Sequence, residues 1–123
     1  LSEKQQKYIE KIIGEPMDVS AKQRINFSRI TFVHKTQKER LTMDVNLTFE
    51  NDNDNGDMKH IVIAEVKQER MSRSSDFMRI AKEMYILPIR ISKYCLTTLA
   101  LNPLLKKNRF KEKVLFINKL KQA

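Results

Sequence analysis

Four strand-like stretches each carry charged groups in β-rich sequence. Arg29 lies between Phe27 and Thr31. Arg40 opens the run Arg40-Leu41-Thr42-Met43-Asp44-Val45-Asn46-Leu47-Thr48-Phe49. Glu65 and Lys67 end the apolar run Ile61-Val62-Ile63-Ala64, and their spacing puts both on one strand face. Arg90 and Lys93 follow Leu87-Pro88-Ile89. These residue types suit phosphate. A guanidinium grips two phosphate oxygens at once, and an ammonium acts as a point charge. A carboxylate among such cations repels phosphate unless a metal stands between them. Glu65 in that role would hold Mg²⁺ or Mn²⁺, which bridges phosphate oxygens and offsets charge during phosphoryl transfer. Plainer roles compete. Glu65 can simply pair with an arginine, as in many ionic networks. Arg40 and Asp44 can form a ladder on the wet side of a sheet, worth little energetically.

The elements that must position these groups are readable. In residues 40–49 apolar and polar side chains alternate without a break, which predicts a strand with one face of each kind. Residues 22–35 and 60–68 are also strand-like, so 22–68 is strand-rich, and 87–94 returns to that character. The stretch from Asn51 to Asp57 reads as a hairpin loop. It echoes a calcium loop only superficially, because the twelfth position from Asp52 is Ile63 rather than a glutamate. Helices are expected near 2–13, 75–85 and 108–121, with a shorter one over 94–101 and another segment opening at Asn102-Pro103. The fold class is α+β: an antiparallel sheet flanked by amphipathic helices. A barrel with a cationic bore and an apolar outside wrapped in helices would account for both faces of the strands.

The composition of the 123 residues fits one globular domain or a fragment of one. No apolar run approaches the ~20 residues of a membrane helix, so no membrane span is expected. The single cysteine, Cys95, rules out an intrachain disulfide and reads as a small core residue, which fits a cytoplasmic setting. Net charge is +9, and residues 101–123 alone hold seven Lys or Arg against one acid. That asymmetry steers anionic partners. With no Trp and few aromatics there is no visible stacking platform, so nucleic acid is not favoured.

Three ordered segments, Arg40-Leu41-Thr42-Met43-Asp44-Val45-Asn46-Leu47, Ile63-Ala64-Glu65-Val66-Lys67 and Ile91-Ser92-Lys93-Tyr94-Cys95, resemble the VTC domain, as does Asn108-Arg109-Phe110-Lys111. The resemblance covers about residues 22–115 and is to the C-terminal half of that domain. It implies a triphosphate-tunnel β-barrel that extends polyphosphate from a nucleoside triphosphate with a divalent metal, Mn or Mg. It further implies that Arg29, Arg40, Arg90, Lys93 and Lys67 bind phosphate and that Glu65 binds the metal. Phe27 stands where the family can carry a tyrosine. The family's Arg-x-Arg pair and nucleophile-side lysine have no counterpart before Lys22, so further strands are expected ahead of Leu1 and the chain alone is expected to be inactive. Open strand edges would then invite self-association. Polyphosphate and nucleoside triphosphate are the expected partners. A triphosphatase of the same tunnel class and a non-catalytic polyanion-binding module remain open as alternatives.

Overall fold

Every strand pairs with β2 (Glu39–Glu50). In the computed structural model, which describes residues 1–122, β1 (Arg24–Val33) runs antiparallel along one side of β2. The other side is shared by β3 (Asn55–Asp57), opposite Thr48–Glu50, and β4 (Ile63–Gln68), opposite Glu39–Asp44. The helices are α1 (Glu3–Ile13), α2 (Asp76–Glu83), α3 (Lys93–Leu101) and α4 (Lys111–Lys121). The architecture is α+β with an antiparallel sheet, as the alternation predicts. The sheet is open: β1 forms one edge, and β3 and β4 the other.

A bulge reshapes β2. Asn26 pairs with Thr48, but Ser28 pairs with Val45, so β2 holds one residue more than β1 across this step. Asn46 sits there at φ 54°, a left-handed conformation that Asn tolerates and branched residues resist. One extra residue reverses which side chains share a face. Thr42 and Asp44 thus join Leu47 and Phe49 on one side, and all four are buried. The unbroken apolar face expected from Leu41 to Phe49 is therefore split. Leu41, Met43 and Val45 lie half-buried on the opposite side, beside the exposed Ile30 and Phe32 of β1.

The core gathers Leu47, Phe49, Met58 and Ile61 with Leu96 and Leu101 of α3 and Ile117 of α4. Ile25, Ile63, Ile91 and Val114 pack around it. Polar contacts fix the two helices over this end of the sheet. Gln23, just before β1, donates to Thr97 Oγ1 at 2.8 Å and to the Tyr94 carbonyl at 3.2 Å. The His60 ring nitrogen lies 3.2 Å from the Ile117 carbonyl. On the opposite face, the buried Glu39 carboxylate accepts from Gln68 at 2.7 Å. Bonds from Gln68, from the Ser75 hydroxyl and from the Phe77 N–H, with the nearby His34, hold its carboxyl below the usual range against the cost of burial. Glu39 thereby anchors the start of α2, whose cap is Ser75.

Two expectations change. Residues 87–92, read as strand, form none; Pro88 has no N–H for a ladder, and the Ser92 hydroxyl accepts from the Cys95 N–H to start α3, which takes in Lys93 and Tyr94. Asn102-Pro103 gives only a turn, and α4 begins after Phe110 without a side-chain cap. α1 forms as expected, with a Ser2–Gln5 capping box and a stop at Gly14, φ 85°, but it buries no residue. Of the helices expected to wrap the apolar side of the sheet, α2 starts there, beside Glu39, while α3 and α4 cover the Leu47 and Phe49 end of the face that carries Asp44.

Candidate anion-binding face

Strand register collects the charged side chains. Arg29 pairs with Asp44, Arg40 with Lys67, and Thr42 with Glu65. Directly opposed residues share a face, and so do residues two apart. Arg29, Arg40, Asp44, Glu65 and Lys67 therefore stand on one side of the sheet. Below them that side becomes the apolar core, beginning at Ile63 and Leu47. The cationic part is the portion that α3 and α4 leave open.

Asp44 is the hub. Its side chain is 2% exposed. Arg29 grips it with two parallel bonds, Nε to Oδ1 at 2.7 Å and Nη2 to Oδ2 at 2.9 Å. Lys93 Nζ donates to Oδ2 at 2.5 Å. Lys93 belongs to the first turn of α3, where the helix dipole disfavours a cation and no acidic residue is present. Asp44 supplies the missing negative charge from the sheet and ties α3 to it. The Arg29 bonds, then the Lys93 bond and both positive charges, outweigh burial and hold the Asp44 carboxyl at about 2. Arg29 responds in kind: its bond to Asp44 raises it, burial opposes, and the charges of Asp44 and Glu65 add. Both cations also lie 5.1 Å from the centre of the Phe27 ring, within cation–π range.

The other predicted residues differ in how firmly they are held. Arg40 is exposed and makes no hydrogen bond or ion pair among the described residues. Glu65 and Lys67 approach to 3.7 Å, both at least half exposed. Arg90 is exposed in the irregular segment before α3, and no hydrogen bond or ion pair among the described residues draws it onto this face. Sequence reasoning missed Asp44 as a hub, treating it only as a ladder partner of Arg40. One signal was present: an aspartate between Met43 and Val45 in mid-strand, where Asp is a poor strand former.

Among the described residues no group of three or more His, Cys, Asp or Glu could hold a metal. Both Asp44 oxygens are engaged, which leaves Glu65 as the carboxylate free to act on this face. A single carboxylate fits Mg²⁺ or Mn²⁺ when phosphate oxygens and water complete the shell. It does not fit a cage made by protein alone.

The family model of the VTC domain matches residues 2–102. The chain belongs to the VTC domain family. No curated protein and no solved structure matches it. All the residues that form the cationic face of this VTC domain fall inside the matched stretch, which also takes in α1. α4 lies beyond it.

Proposed function

We propose that this VTC domain binds polyphosphate and nucleoside triphosphate along the open cationic face and serves metal-dependent phosphoryl transfer onto a growing polyphosphate. The observation that carries this reading is the register that gathers Arg29, Arg40, Lys67 and Glu65 on one face, with Lys93 delivered by α3. Family membership supports the substrate class. Arg40 and Lys67, free or loosely paired, are the groups ready to meet phosphate. Arg29 and Lys93 are preorganised by Asp44, and the Arg29 side chain is 43% exposed. A divalent ion at Glu65 would neutralise charge on the transferred phosphoryl group. The open edges of the sheet can accept further strands, from this polypeptide or from a second copy, and such pairing would close the face into a tunnel.

The test has two parts. Calorimetric titration with tripolyphosphate, with and without Mn²⁺, measures binding by the chain; Arg40→Ala is expected to weaken it with the fold intact, because the Arg40 side chain is exposed and makes no hydrogen bond or ion pair among the described residues. Product analysis of the encoded protein with ATP then distinguishes lengthening polymer from released orthophosphate. Orthophosphate alone would favour a tunnel triphosphatase. Binding without metal-dependent turnover would favour a non-catalytic module.

A further inference from the structure

α4 is apolar on two opposite sides. Val114 and Ile117 pack inward, yet Leu115, Phe116 and Leu120 are 52%, 54% and 40% exposed. Leu104, in the turn before the helix, is 101% exposed. A surface helix normally turns polar residues outward, and here apolar side chains are interleaved with the charged ones on the outer side. The surroundings specify the chemistry that would cover them. Residues 101–122 contain seven Lys or Arg against Glu112 alone. None of these seven cations forms an ion pair among the described residues.

We infer that the outward side of α4, with the turn before it, docks on an anionic lipid surface. Unpaired cations among exposed apolar side chains match the two attractions such a surface offers: negative headgroups, and an acyl boundary a few ångströms below them. A soluble polyanion would satisfy the lysines but leave Phe116 and Leu120 in water. α4, at 11 residues, is too short to span a bilayer and would lie along its surface. α4 lies outside the stretch matched by the family and on a different element from the cationic sheet face, so the inference stands apart from the phosphate reading.

The chain contains no Trp, so Phe116→Trp installs a single reporter. The full chain is mixed with vesicles of phosphatidylcholine, with or without phosphatidylserine, and followed by sedimentation and emission wavelength. Sedimentation with the phosphatidylserine vesicles only, with a blue shift and weakening by salt, is the expected result. Lys107→Glu or Lys119→Glu should each lower affinity by roughly thirtyfold, and Phe116→Ser by roughly tenfold. Lys82→Glu on α2 should leave it unchanged. All of these residues are exposed, and circular dichroism checks that each variant is folded. Absent sedimentation, equal binding to neutral vesicles, or sedimentation without a blue shift overturns the proposal. So does binding of inorganic polyphosphate through Lys107 and Lys119 by a chain that ignores vesicles.

Discussion

Replacing Asp44 with Asn removes the one negative charge that Arg29 and Lys93 share, while keeping the shape of the side chain. The carboxyl shifts from 3.8 to about 2 on folding. At 1.36 kcal/mol per unit, the ionised form gains about 2 kcal/mol in the folded state. The amide also turns a donor toward either the Lys93 ammonium or the guanidinium. Breaking a buried pair from one side raises the expected loss at pH 7 to about 2–4 kcal/mol. The sign of the pH dependence follows from the depressed value. The stabilisation is complete well above 3.8 and disappears as pH falls through about 2. The gap between wild type and Asp44→Asn should stay constant from neutrality to about pH 5 and shrink to about half near pH 3. Urea unfolding of both chains by circular dichroism, repeated across this pH range, measures it. A gap under about 0.5 kcal/mol at pH 7, or one that does not narrow with acid, refutes the hub role.

Three further outcomes are expected. Glu65→Gln should abolish metal-dependent turnover by the encoded protein and spare or strengthen metal-free tripolyphosphate binding; with both partners of the Glu65–Lys67 pair at least half exposed, stability should change by under about 0.5 kcal/mol, and a lowered melting point with an unchanged metal response would show a merely structural carboxylate. Asn46→Val should destabilise the chain by about 1–2 kcal/mol, because a branched residue resists φ 54°, whereas Asn46→Gly should be near neutral; thermal melts separate them. Gly56→Ala should cost about 1–3 kcal/mol, since the new methyl would lie 2.8 Å from Phe49 Cε2, in a ring the core holds; no change in melting would mean that the ring moves freely.

Much of the cationic face was legible in the sequence, and the reason is periodicity. Glu65 and Lys67 are two apart, and the alternation over 40–49 made a strand certain enough to put Arg40 on its polar side. What stayed hidden was the consequence of Asn46. An asparagine on a polar face looks ordinary, and nothing local announces that it takes the left-handed bulge position. That one residue moves Leu47 and Phe49 to the side of Asp44, so a polar and an apolar half share one face instead of opposing each other. Lys93, read as part of a strand, lies in the first turn of α3 and meets Asp44. Strand propensity in Ile89 and Ile91 masked the helix start at Ser92, and the negative charge that its first turn lacks comes from a tertiary partner, Asp44, through Lys93. Arg90 shared the motif spacing without sharing a contact, which sequence distance alone does not reveal.

The face itself is tested most directly by tripolyphosphate affinity at several salt concentrations for wild type, Arg40→Ala, the double variant Arg40→Ala with Lys67→Ala, and Lys82→Ala on α2. Charge-assisted bonds to phosphate are each worth about 1.5–3 kcal/mol. Arg40→Ala should therefore weaken binding by at least about tenfold, the double variant should weaken it further and flatten the salt dependence, and Lys82→Ala should match wild type. Equal losses at Arg40 and Lys82, or no measurable binding by the wild-type chain, would contradict the assignment of this face to phosphate.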